Sequence, residues 1–272
     1  MPDRGKYAAA FSLGIRSALE YRANFLFSIL GAVSPVVIQT ALWTCLYDTG
    51  SGASGDALFG YSYRQMLGYV IVANLVSRLV RTGFEYDVNS DIRSGGLDRF
   101  LVKPIGYFGF RMAHFAGSKS AEGVFLGAVL AAALAVLSAF SGASFGAAAI
   151  LGFVAALALA LLLNFLIFWC VGLLGFWLTE IGFLFEAVRI VAITASGGIF
   201  PLTVFGPALG PILQALPFRY TIQFPTEVLC GRVAGADLAR GLGLGALWAA
   251  ALLALGQAIW AAGVKRFVAV GS

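Results

Sequence analysis

The chain has 272 residues, 60% of them hydrophobic and 11% charged, with a mean hydropathy of +0.90 and a formal net charge of +5. So much apolar surface exceeds what a soluble domain of this length can bury, so lipid is the expected solvent and residues 1–272 read as a single membrane domain. The positive charge does not point to nucleic acid, because the lysines and arginines sit beside apolar runs, where they mark topology and meet anionic lipid headgroups.

At the amino terminus, Tyr7, Phe11, Ile15 and Leu19 recur every fourth residue, with Lys6, Arg16 and Glu20 off that stripe. This spacing predicts an amphipathic helix lying along the membrane surface, not a cleavable signal. Six crossings are expected after it: Phe25 to Tyr47, Tyr63 to Val80, Ala121 to Phe140, Ala147 to Leu178, Ile181 to Phe200 and Leu242 to Val264. The second carries Asn74, Ser77, Arg78 and Arg81, and the fifth carries Glu186 and Arg189. Such groups are costly against hydrocarbon and are expected to face protein or water. Glu186 and Arg189, three apart on one helix face, can neutralise each other, or can line a partly polar route together with Asn74 and Ser77.

Lysine and arginine placement sets the orientation. Arg4, Lys6, Arg16 and Arg22 precede the first crossing, seven basic residues between Arg78 and Lys119 follow the second, and Lys265 and Arg266 follow the sixth. Six crossings put all three groups on one side, so both termini are expected in the cytoplasm. Arg64, Arg219, Arg232 and Arg240 fall on the other side and are exceptions to the rule.

Two polar interruptions differ in kind. From about Gly83 to Lys119, Glu85, Asp87, Asp91, Arg93, Asp98, Arg99 and Lys103 are divided by Gly95 and Gly96 and stopped by Pro104, which predicts short helical pieces joined by bends. From Pro201 to Arg240 lie five of the eight prolines, yet Phe205, Leu209, Ile212, Leu216 and Phe224 make this stretch too apolar for a solvated loop. Short pieces re-entering the outer leaflet are expected there.

The chain has no GxxxxGK[ST] phosphate loop; Gly117, Ser118, Lys119 and Ser120 lack the glycine before the lysine and the preceding strand. Neither a GxSxG elbow nor an HExxH helix can be argued, so catalysis within the chain is not expected. Cys45, Cys170 and Cys230 have no CxxC spacing and His114 is the only histidine, so no metal site or disulfide framework is indicated.

Three places resemble the ABC-2 permeases, the membrane subunits of one class of bacterial exporter. They are Leu19 to Phe25 (LEYRANF), Ser94 to Pro104 (SGGLDRFLVKP), and the proline-rich stretch from Phe200 to Gly231. The middle one is the most specific, with its small-residue turn, Leu97, Asp98, a basic residue, an aromatic, Leu101 and the pair Lys103 and Pro104. The resemblance implies an all-α integral membrane fold with an amino-terminal interfacial helix, six transmembrane helices, and a cytoplasmic coupling helix between the second and third. It also implies a second permease, identical or a sister chain, and two copies of a separate ATP-binding subunit that holds ATP and Mg, with no cofactor bound by this chain. The bacterial cytoplasmic membrane is the expected location.

In that reading Glu85, Asp87, Asp91, Arg93, Gly95, Gly96, Leu97, Asp98, Arg99, Phe100, Leu101, Lys103 and Pro104 form the coupling segment. Asp91, Arg93, Asp98 and Arg99 supply polar contacts while Leu97, Phe100 and Leu101 anchor the piece. A solvated inner loop is the plainer account of the same charges. An ion-gradient transporter using Glu186 and Arg189 is the alternative function, although no repeated halves are evident, and a membrane scaffold is a third.

Overall fold

The computed structural model describes residues 4–20, 22–50, 57–101, 105–141, 146–178 and 180–270. Among the described residues the regular structure is helical, without a β-strand. Helix α1 (Arg4–Glu20) and helix α2 (Arg22–Gly50) cover the amphipathic segment and the first expected crossing. Helix α3 (Tyr63–Val80) coincides with the second. It opens on a reciprocal cap in which the Gln65 backbone N–H donates to the Ser62 hydroxyl (3.4 Å) and the Ser62 N–H donates to the Gln65 side chain (3.1 Å).

The first polar interruption becomes α4 (Phe84–Arg93) and α5 (Asp98–Leu101), turned against each other at the two glycines. Gly95 holds φ +73°, and a Cβ on Gly96 would lie 2.7 Å from Asp91 Oδ1, so both positions need glycine. Lys103 and Pro104 lie outside the described residues.

The helix that holds the expected third crossing begins well before that span. Helix α6 (Tyr107–Ser141) runs unbroken through residues 107–119, which the sequence reading assigned to the cytoplasmic loop. Arg111 and Lys119 gave that segment its solvated character, yet both charges are paired. Arg111 reaches Asp87 (3.1 Å) and Asp91, and Lys119 reaches Glu122 at 2.6 Å. With those charges compensated, Phe108, Met112 and Phe115 of the same helix pack on the core.

Helix α7 (Ala147–Leu173) tightens into a 3₁₀ turn at Leu174–Phe176. Helix α8 (Gly182–Ala195) ends before the expected limit at Phe200. The Gly198 N–H bonds the Ile193 carbonyl (3.0 Å) and the Gly197 N–H the Thr194 carbonyl (3.4 Å), with Gly197 at φ +81°; this is a Schellman stop that the two glycines permit. The proline-rich stretch is broken as its prolines predict, into a 3₁₀ turn at Leu202–Phe205, α9 (Gly206–Ala215), a second 3₁₀ turn at Pro217–Thr221, and α10 (Gln223–Leu229). Helix α11 (Gly235–Val270) completes the chain's described part.

Helix α7 is the hub, packing against α3, α4, α8, α10 and α11. It carries no charged residue, and Leu163, Phe165, Leu166, Trp169 and Leu173 on it are fully buried. At one end Tyr107 stacks on Trp260 (5.5 Å between centroids), and Trp260 stacks in turn on Trp169 (6.0 Å). Lipid tails are as apolar as leucine, so such helices associate through close packing instead of hydrophobic expulsion. Glycines permit it: a Cβ on Gly241 would meet the Phe224 ring at 2.1 Å, one on Gly245 would meet Leu159 at 2.5 Å, and one on Gly175 would meet Asn89 at 2.6 Å. Helix α1 lies on α6 by the same device, since a Cβ on Gly14 or Gly117 would fall 2.1 Å from the carbonyl oxygen of His114 or Phe11.

Among the described residues two helices are long and apolar enough to cross a membrane, Ala147–Phe176 and Gly235–Phe267. The second leaves Leu244, Leu247, Leu253 and Leu255 exposed, an outer face suited to lipid.

Candidate functional site

A cavity of about 670 Å³ lies among α2, α3, α7 and α8. It gathers Asn74, Ser77, Glu186 and Arg189, the four residues proposed from sequence for a polar route. Asn74 is oriented by two hydrogen bonds, its Nδ2 donating to Gln39 Oε1 (3.0 Å) and to the Val70 carbonyl (2.8 Å). Asn164 of α7, also in the wall, donates to the Val80 carbonyl at the last turn of α3, a group that helix geometry leaves without an intrahelical donor.

Arg189 does not simply neutralise Glu186. Its shorter contact is to Glu85 of α4, at 2.5 Å, while Glu186 is 3.4 Å away and accepts a 2.6 Å hydrogen bond from the Tyr86 hydroxyl. Consecutive residues of α4 therefore hold both ionised groups of α8. Glu85 is completely buried, and burial pushes its carboxyl above the ordinary carboxylate range, opposed by a backbone hydrogen bond and by Arg189. Thr82 Oγ1 lies near enough to favour the charged form of Glu85 but makes no well-formed hydrogen bond.

The rest of the coupling segment divides by helix face. Glu85, Val88 and Ile92 point inward, whereas Asp87, Ser90 and Arg93 are exposed. Asp91 is turned inward, where it accepts from the Tyr107 hydroxyl (2.6 Å) and pairs with Arg111. Burial raises the Tyr107 hydroxyl above its usual range, and the Asp91 carboxylate adds to that. Just before α5 Leu97 is fully buried, and in α5 Phe100 packs edge-on to Tyr107 (4.9 Å) and against Phe110 (4.9 Å), while Asp98 is exposed. Arg99 and Leu101 belong to α5, their side chains outside the described set.

A second buried polar cluster, which the sequence reading missed, joins the proline-rich stretch to α3. Glu227 of α10, 7% exposed, accepts from Gln223 (2.7 Å) and Tyr61 (3.2 Å) and pairs with Arg219 (3.3 Å). Arg232 sits 3.8 Å over the Tyr61 ring and donates to the Gly60 carbonyl (3.0 Å). The Tyr69 hydroxyl closes the end of α8 by donating to the Gly197 carbonyl (2.6 Å). Burial, reinforced by Glu227, pushes the Cys230 thiol up to about 12, which leaves it protonated and unreactive. The available signals were the acidic residue within the short run QFPTEVL and the exceptional placement of Arg219 and Arg232.

A family model described as ABC-2 family transporter protein matches residues 33–271, most of the chain. No curated protein and no solved structure matches it.

Proposed function

The chain belongs to the ABC-2 family of transporter proteins, membrane permease subunits that work with an ATP-binding subunit, and from that premise we propose that it drives export across the bacterial cytoplasmic membrane. In this reading it makes six crossings with both termini in the cytoplasm. It pairs with a second permease, identical or a sister chain, and docks on two copies of an ATP-binding subunit that carries ATP and Mg. The chain itself does no chemistry on nucleotide.

The observation that carries the proposal is the double tether from α4 to α8, Glu85 to Arg189 and Tyr86 to Glu186, at the wall of the cavity. A short helix whose outer face carries Asp87 and Arg93 can seat on a soluble partner and move with it when that partner closes on ATP. Its inner face then carries the displacement to α8 through an ion pair and a charged hydrogen bond. The Arg111 contacts to Asp87 and Asp91 bind α4 to the start of α6, against which α1 lies, so these pieces move as one cytoplasmic block. Asp98, exposed at the start of α5, extends the docking surface.

The test is a mild-detergent pull-down of the tagged chain, with identification of its partners and an ATPase assay on the eluate. The expected result is a stoichiometric ATP-binding subunit with hydrolysis, and an Asp98→Ala, Arg99→Ala variant that stays folded while losing that coupling. A chain recovered alone, without ATPase activity, would overturn the proposal in favour of a gradient-driven transporter.

A further inference from the structure

The cavity wall carries two cations without a salt bridge among the described residues, half-buried Arg78 and exposed Arg81, the latter within electrostatic reach of Glu186. Arg189 is held by Glu85 and Glu186, and Lys119 by Glu122, but Arg78 and Arg81 meet no carboxylate within ion-pair distance among the described residues. They stand three residues apart at the carboxyl end of α3, and both line the cavity. One unspent donor lies in the same wall, Arg189 Nε, which is buried without an acceptor. Guanidinium groups beside a low-dielectric cavity are best compensated by an oxyanion, whose geometry matches the guanidinium fork.

The remaining wall is apolar. Ile38 and Leu42 come from α2 and Ile190 from α8, and Ile38 and Ile190 are 67% and 64% exposed. Helix α2 packs chiefly on α3, and α8 on α7 and the 3₁₀ turn at Pro217–Thr221, so the cavity opens between α2 and α8 onto an apolar surface. In the six-crossing reading that surface faces lipid.

We infer that the cavity takes an amphiphile with a phosphate-type anionic headgroup, its headgroup on Arg78 and Arg81 and its chain along Ile38, Leu42 and Ile190. The inference rests on the cavity being the cargo path of the proposed exporter, and it narrows the cargo to a chain-bearing anion that enters sideways from the bilayer.

Equilibrium binding tests it, on the purified chain with whatever subunits accompany it, in nanodiscs of zwitterionic lipid and without nucleotide. The readout is therefore independent of whether an ATP-binding subunit is found. The probe is a fluorescent monoacyl glycerol phosphate, compared with the same chain on phosphocholine and with inorganic phosphate as competitor. The anionic probe is expected to bind, and the Arg78→Gln, Arg81→Gln variant to weaken it about tenfold or more. An Arg78→Lys, Arg81→Lys variant should retain most of the binding. An Arg64→Gln, Arg240→Gln variant, matched in charge but with neither residue in the cavity wall, should bind as wild type does. Equal binding of the phosphocholine probe, or an equal loss in the charge-matched variant, would overturn the inference, since either means bulk attraction and no site. Displacement by inorganic phosphate at concentrations comparable to the probe would overturn the amphiphile and leave a free anion. Should the glutamine pair fail to fold by size exclusion, the lysine pair decides: no preference for phosphate over phosphocholine counts against the site.

Discussion

Arg189 is where the geometry of the cavity wall converges, because it is shared between a completely buried carboxylate on α4 and a more exposed one on its own helix. Removing one member of a buried pair costs about 3–5 kcal/mol, since the other keeps its burial and loses its counter-charge. Arg189→Gln should therefore destabilise the protein, and the pH dependence identifies the cause. Burial already raises the Glu85 carboxyl in the folded state, and loss of Arg189 raises it further. A raised carboxyl costs nothing while folded and unfolded chains are both protonated. The deficit relative to wild type should thus be small in acid and through the ordinary glutamate range, where both proteins lose stability alike, grow once pH passes the raised wild-type value, and level off above the variant's still higher one. Thermal unfolding of the variant and wild type from about pH 4 to about pH 8 measures this. A deficit independent of pH would assign the loss to packing. A Glu85→Gln, Arg189→Gln double variant should recover much of the stability while leaving export impaired.

At the scale of elements, the proline-rich stretch is held to α3 by polar contacts more than by length. Its longest helix, α9, has 10 residues, and α10 has 7. Glu227→Ala would leave Arg219 partly buried and unpaired and remove the acceptor for Tyr61 and Gln223, a loss of about 3–5 kcal/mol. Glu227→Gln keeps an acceptor and should cost less, so the order of melting temperatures, wild type above Gln above Ala, reports the polar knot. Helix α1 rests on a different support, the bare backbone at Gly14 and Gly117. A Leu side chain at Gly117 has no space against Phe11, so Gly117→Leu should lift α1 from α6. Limited proteolysis should then cut within α1 while the rest of the chain stays intact. Three of the arginines expected as exceptions to the basic-residue rule have partners within the chain. Arg219 is neutralised by Glu227, Arg232 is seated on Tyr61, and Arg240 lies 3.6 Å from Asp237.

For the whole molecule, the six-crossing arrangement is checked by accessibility. With Cys45, Cys170 and Cys230 replaced, a membrane-impermeant maleimide on intact cells should label Asp237→Cys and leave Ser94→Cys unlabelled until the cells are permeabilised; the reverse pattern would invert the topology. The helical class, the limits of α3, the bend at Gly95 and Gly96 and the breaks at the prolines were legible in the sequence. Each depends on local chemistry: within lipid a helix satisfies its own backbone, a proline withdraws a donor, and a glycine alone accepts a left-handed turn. The early start of α6 was not legible, because Arg111 looks solvated until Asp87 and Asp91 are brought to it. Nor was the Schellman stop of α8, since Gly197 and Gly198 also fit inside a transmembrane helix. Composition and the placement of glycine, proline and charge thus determined what kind of protein this is and which residues were candidates for its site. Only the tertiary structure decided which of them meet. Glu85 and Arg189 are 104 positions apart and Tyr61 and Glu227 are 166 apart, and ion pairs and hydrogen bonds depend on distance through space, which separation along the chain does not encode.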